Sequence, residues 1–168
     1  MGLLLALLGI QVFSGGSGRG LDAALAAGKT AAAPDFSLPR LNGEGTLRLH
    51  SLRGHPVVLN FWASWCIPCK QEAGLLESAA KSYRADGLVV LGVDAQDFRS
   101  DARRFAKRYG ITYPILRDGS GSTLARYGGT GFPETWFLDR RGNVVGEHVK
   151  GALTRERLAR NIATVLAG

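Results

Sequence analysis

At 168 residues the chain is long enough for one domain with a sizeable core, and its 45% apolar and 21% charged side chains are ordinary for a globular fold. Its 21 Lys+Arg against 14 Asp+Glu leave a formal charge of +7. The basic residues are scattered (Arg99, Arg103, Arg104, Lys107, Arg108, Arg140, Arg141) and no aromatic side chains interleave with them as a stacking platform, which argues against nucleic acid and leaves at most a mild attraction to anionic lipid headgroups.

Residues 3–13 are nearly all apolar and run into Ser14-Gly15-Gly16-Ser17-Gly18, a flexible breaker. The run is too short to span a bilayer of roughly 30 Å, which takes about 20 residues. It has the length of a signal-peptide hydrophobic region without the basic residues that normally precede one. It reads either as the end of a longer leader or anchor, or as an atypical leader cleaved within the Ala-rich residues 23–33, with a core helix as the remaining alternative. The division expected is a hydrophobic leader or anchor with a flexible linker over residues 1–32 and one folded domain over residues 33–168, exported from the cytoplasm.

Within that domain Asp35-Phe36-Ser37-Leu38-Pro39 is short and extended, and Asn42-Gly43-Glu44-Gly45 is a hairpin turn. Residues 46–50 alternate as a half-buried strand does. Val57–Trp62 is a continuous apolar strand of the kind found where both faces of a sheet are covered. Residues 70–84 have helical spacing, residues 88–93 form a second buried strand, and residues 100–109 a helix with Ser100 as its N-cap and Gly110 as its stop. An extended piece around Ile115 and a helix through Leu124 lead to Gly128-Gly129. Residues 135–138 and 143–149 flank the turn Asp139-Arg140-Arg141-Gly142 as an antiparallel hairpin, and residues 154–166 close the chain as an amphipathic helix. The order β-α-β-α-β-β-α implies an α/β fold with a mixed central sheet and helices on both faces.

The chemistry sits in Trp65-Cys66-Ile67-Pro68-Cys69, which holds both cysteines of the chain at the junction of a buried strand and a helix. A thiol pair so spaced opens and closes a disulfide with little backbone movement, and the N–H groups and dipole at the helix start stabilise a thiolate on the first sulfur. A zinc site needs about four ligands, and there is neither a second cysteine pair nor ligand spacing among His50, His55 and His148. A purely structural disulfide closing so short a loop would constrain the unfolded chain little. The pair is therefore read as a redox-active dithiol, with no metal and no cofactor beyond the disulfide itself.

Phe61-Trp62-Ala63-Ser64-Trp65-Cys66-Ile67-Pro68-Cys69, followed by Gly131-Phe132-Pro133-Glu134-Thr135-Trp136-Phe137-Leu138-Asp139, resembles the thioredoxin superfamily. Ala33-Pro34-Asp35-Phe36-Ser37-Leu38 and the stretch Ser51-Leu52-Arg53-Gly54-His55-Pro56-Val57-Val58-Leu59-Asn60 are similar to the lead-in of its membrane-anchored TlpA/ResA/DsbE-type thiol–disulfide oxidoreductases. The Gly-x-Pro-Glu-Thr segment is similar to the DsbE branch, which serves cytochrome c maturation. The resemblance covers about residues 33–167. It implies a thioredoxin-like fold, Cys66 as exposed nucleophile, Cys69 as buried resolving thiol, and Pro133 as a cis-proline presenting backbone to substrate beside the cysteines. Trp65 would shield the surface around Cys66, Pro68 would occupy the first helical turn without losing a hydrogen bond, and Phe132 would help form the substrate-facing surface. Glu134 is either a partly buried carboxylate that relays protons or an exposed glutamate. Glu72, one turn after Cys69, either supplies a carboxylate or faces solvent. Asn60 stands where cytoplasmic thioredoxins carry a buried acid and cannot accept a proton from Cys69.

The partners implied are oxidised client proteins, among them the CxxCH motif of apocytochrome c, and a membrane electron donor of the DsbD or CcdA kind. A general extracytoplasmic reductant, oxidant or isomerase is the neighbouring alternative. A thiol peroxidase shares the fold and the Pro34-Asp35-Phe36 lead-in, but its Pro-x-x-x-Thr/Ser-x-x-Cys pattern fits neither Cys66 nor Cys69. A non-catalytic binding module would need no proline opposite the cysteines.

Overall fold

The computed structural model describes residues 18–168, so the apolar run at residues 3–13 lies outside the described residues. The elements are α1 (Gly18–Ala26), β1 (Ala31–Ala32), β2 (Ser37–Pro39), β3 (Thr46–Arg48), β4 (Val57–Trp62), α2 (Ile67–Ser82), β5 (Val89–Ala95), α3 (Arg99–Arg108), β6 (Ile115–Asp118), α4 (Ser122–Arg126), β7 (Glu134–Leu138), β8 (Asn143–Lys150) and α5 (Arg155–Ala167). Six strands form one sheet in the order β1-β8-β7-β4-β5-β6. β4, β5 and β6 are parallel neighbours, whereas β7 and β8 run antiparallel to their partners. This is the mixed sheet of the thioredoxin-like fold.

All six residues of β4 are buried because each face of the strand meets a separate core. Val57, Leu59 and Phe61 point to the side that holds Tyr127, Trp136 and Leu21 of α1. Val58 and Trp62 point to the opposite side, with Ala73 and Leu76 of α2, Phe105 of α3 and Ile162 of α5. The period of two along the strand thus survives inside a sequence that reads as uniformly apolar. On the first side Phe61, Tyr127 and Trp136 meet one another at ring-centroid distances of 5.3–5.5 Å; each such pair adds about 0.5–1.5 kcal/mol to area burial.

Three expectations change. The folded body begins before residue 33: α1 buries Leu21 to 1% exposure, and Ala31 and Ala32 pair with Val144 and Asn143 at the edge of the sheet. Leu21 and Leu25 against the core, the Ala31–Ala32 pairing and the contacts of Asp22 with His148 and Lys150 dock a segment whose composition alone reads as linker. The strand expected over residues 46–50 stops at Arg48, where Leu49–Leu52 turns into a 3-10 helix. The cap of α3 is Phe98 rather than Ser100, and it is Asp97 whose Oδ1 accepts the Phe98 N–H at 2.7 Å. Ser100 spends its hydroxyl on Asp101 instead.

Candidate active site

β4 delivers the chain into the turn that carries the cysteines, and Cys66 is the residue on which α2 starts. Its backbone is extended (φ −72°, ψ 115°) and its Sγ accepts the Cys69 N–H at 3.2 Å, an arrangement that aims the free N–H groups of the first turn at the first sulfur. Cys66 and Cys69 are joined in a disulfide with Cα atoms 5.3 Å apart. The expectation of an exposed Cys66 is corrected: it is 4% exposed, scarcely more than the 2% of Cys69. Its sequence neighbours Trp65 and Ile67 take the solvent contact instead, at 57% and 68% exposure.

The second strand of the site is β7. Phe61 of β4 pairs with Glu134, so the residues entering β7 lie beside the chain leaving β4. The Phe132–Pro133 peptide there is cis, and the Phe132 ring meets Trp65 edge to face at 5.6 Å. The Pro133 carbonyl accepts the Gly151 N–H at 2.9 Å. Trp65, Cys66, Phe132 and Pro133, far apart in sequence, are thereby gathered at one end of the sheet.

One helical turn past Cys69 on α2 lies a buried polar group. Glu72 is 2% exposed, so its alternative reading as a solvated helix position is overturned. Its Oε1 accepts from the Asn60 amide at 2.8 Å and its Oε2 from the Leu153 N–H at 2.6 Å, while Asn60 also donates to Thr135 Oγ1 at 2.9 Å. Burial pushes the Glu72 carboxyl up to about 7, against the opposing pull of the Leu153 and Asn60 donors. A group with that affinity takes and returns a proton near neutrality, which Asn60 cannot do.

Glu134 is also buried, at 2% exposure, which overturns its reading as an exposed glutamate, but its surroundings act in the opposite sense. Its Oε1 accepts the Thr130 and Gly131 N–H groups at 2.7 and 2.9 Å, and its Oε2 lies 2.8 Å from His148 Nε2. Burial raises its proton affinity, yet the His148 ring and the two backbone donors outweigh burial and hold the carboxyl below its usual range. The residue therefore braces the loop before Pro133.

Sequence reasoning missed three features of the site. His148, set aside for want of metal spacing, is turned inward to Glu134. Phe98 is 75% exposed on the segment whose Gln96 carbonyl accepts the Trp65 indole N–H at 3.2 Å and whose Asp97 accepts the Ser64 N–H at 2.6 Å. Asp94 is fully buried, neither carboxyl oxygen meets a donor, and burial followed by the charge of Asp97 pushes it up to about 8. Only Phe98 carried a signal, as a large apolar residue between polar neighbours.

Comparison with known proteins agrees with this geometry. Residues 30–146 match the AhpC/TSA family. The chain is 33% identical over 163 residues to the thiol-disulfide oxidoreductase ResA of Geobacillus thermodenitrificans, covering 97% of this chain and 90% of that protein. Among solved structures, a Chlorobium tepidum protein assigned as the thiol:disulfide interchange protein DsbE superposes with a TM-score of 0.75 at 32% identity, over 82% of this chain and 96% of the other. A secreted thiol-disulfide isomerase from Corynebacterium glutamicum gives a TM-score of 0.76 at 26% identity, over 83% and 88% of the two chains. With the Cys66–Cys69 disulfide at the head of α2 and Pro133 at the head of the neighbouring strand, the chain belongs to the AhpC/TSA family as a thioredoxin-fold thiol–disulfide oxidoreductase.

Proposed function

We propose that this oxidoreductase works as a reductant of exported proteins, with the oxidised CxxCH motif of an apocytochrome c as its client. The observation that carries the direction is the buried Glu72 carboxyl one helical turn beyond Cys69. The head of α2 favours a thiolate on Cys66, while a buried carboxylate one helical turn past Cys69 disfavours a second thiolate there. A dithiol that ionises reluctantly gives up its electrons more readily than one held as a stable thiolate, which is the condition of a strong oxidant.

In the forward reaction the Cys66 thiolate attacks one sulfur of the client disulfide, forming a mixed disulfide and expelling the client's other sulfur as a thiolate, which takes up a proton. Cys69 gives its proton to Glu72 and attacks Cys66 Sγ. The Cys66–Cys69 bond forms, the mixed disulfide breaks, and the second client thiol leaves. Two electrons pass to the client, and a membrane dithiol donor of the DsbD or CcdA kind returns them to the protein. Trp65, Ile67, Phe98 and Phe132 supply the apolar rim against which the client segment lies, Pro133 its backbone edge, and Pro68 the fixed first turn behind the sulfurs.

The Gly131–Thr135 segment, similar to the DsbE branch, supports the cytochrome client. The apolar residues 3–13 and the likeness to a secreted isomerase support a place outside the cytoplasm. Titration of the Cys66–Cys69 pair against dithiothreitol or glutathione buffers tests the direction. A potential of about −270 mV or below is expected, and a value near −120 mV overturns the assignment as reductant. Reduction of an oxidised CxxCH peptide faster than of the same peptide lacking the histidine tests the client.

A further inference from the structure

His148 ties α1, at the start of the described residues, to the loop beside the disulfide. Its Nδ1 lies 2.7 Å from Asp22 Oδ1 on α1, and its Nε2 lies 2.8 Å from Glu134 Oε2. The ring stacks on Trp136 with centroids 3.8 Å apart and planes 20° from parallel, and its side chain is 5% exposed. An irregularity in the β7–β8 pairing places it there. Thr135 pairs with Val149 and Phe137 with Val145, so Trp136 alone stands opposite residues 146–148, with Gly146 at φ +71°. A bulge of this kind re-aims a side chain near an active site. An apolar residue would stack on Trp136 as well; what His148 adds is a directed nitrogen at each end of the ring.

Resting on the oxidoreductase reading above, we infer that His148 is a positioning residue. Through Glu134 it fixes the Thr130–Gly131 backbone and hence the Phe132–Pro133 edge that receives the client, and through Asp22 it makes that edge depend on the docking of α1. Glu134 Oε1 holds the loop, Oε2 is held by His148, and Lys150 Nζ at 3.1 Å from Asp22 Oδ2 completes the anchor. None of these groups makes a hydrogen bond to either sulfur. The latch therefore acts on client binding and leaves the intrinsic chemistry of the thiols alone.

The test compares His148→Ala, His148→Gln and Asp22→Asn in the full chain by three readings: the equilibrium potential of the Cys66–Cys69 pair, the rate with the small disulfide dithiobis(nitrobenzoate), and kcat and KM with a disulfide-bonded CxxC peptide. His148→Ala is expected to lower kcat/KM for the peptide by about tenfold through KM, within what a displaced positioning group costs, with the other two readings unchanged. His148→Gln, which can still donate to Glu134, recovers part of the loss, and Asp22→Asn gives a smaller loss of the same kind. An unchanged KM in folded variants overturns the inference, as does a potential or small-disulfide rate that moves with the peptide. If His148→Ala fails to fold, Asp22→Asn, which leaves the His148–Glu134 contact in place, carries the same comparison. An unsubstituted protein that reduces neither probe defeats the oxidoreductase reading itself, and the positioning role with it.

Discussion

Asn60 and Glu72 form a buried pair, the Asn60 amide donating to Glu72 Oε1 at 2.8 Å. One comes from the middle of β4 and the other from the face of α2 that also carries Cys69. Asn60 stands where a buried acid is expected in a thioredoxin, and the acid is supplied from the helix side instead. The carboxyl beside Asn60 thus stands on the helix rather than on the strand, and burial raises its proton affinity toward neutrality.

A stability signature follows from that carboxyl. Its folded value of about 7 lies above the ordinary 4.5, so the folded state binds a proton the unfolded chain has already released. The stabilisation is complete below about pH 4.5 and is lost as pH rises through about 7, a difference on the order of 3 kcal/mol. Denaturant unfolding at pH 5 and pH 8 is expected to show Glu72→Gln gaining stability relative to the parent at the higher pH. An equal difference at both values would place the group in contact with solvent.

Asp94 obeys the same sign over a wider window. Its folded value of about 8 against 3.8 means that stability falls between roughly pH 4 and pH 8 as the unfolded state sheds the proton first. Asp94→Asn keeps the shape without the ionisation. It is expected to raise the melting temperature at pH 9 and to change it little at pH 4, as scanning calorimetry would register.

Exchange chemistry predicts a trapped intermediate. With Cys69→Ser the mixed disulfide between Cys66 and a client cannot be resolved and should accumulate as a species of summed mass in non-reducing mass spectrometry. Cys66→Ser should give no adduct and no disulfide reduction while keeping the fold. Adduct formation through Cys69 at a similar rate would reverse the roles of the two thiols.

Gly92, the strand partner of Asn60, offers a packing test. A Cβ there would lie 2.9 Å from Trp62 Nε1 and 3.1 Å from Tyr113 Cε2, inside a core where Trp62 stacks on Phe105 at 4.5 Å. Gly92→Ala is expected to cost about 1–3 kcal/mol, the usual price of overpacking, read from the urea midpoint. A neutral result would show that the Trp62 ring has room to move.

What could be read along the chain was whatever depends on neighbours in sequence. The Cys66–Cys69 spacing, the strand Val57–Trp62, the hairpin around Asp139–Gly142 and the amphipathic helix ending the chain all follow from local period, turn chemistry and the reach of a few residues. Composition misled at residues 18–32, because docking depends on a receiving surface that only the folded sheet provides. The burial of Cys66, the inward turn of Glu72 and the chain of contacts from Asp22 through His148 to Glu134 were decided by the tertiary structure. Asp22 and His148 stand 126 residues apart and meet only because α1 packs on the strand that bulges opposite Trp136. A side chain's type sets what bonds it can make; strand register and the packing of distant elements decide which of them it makes.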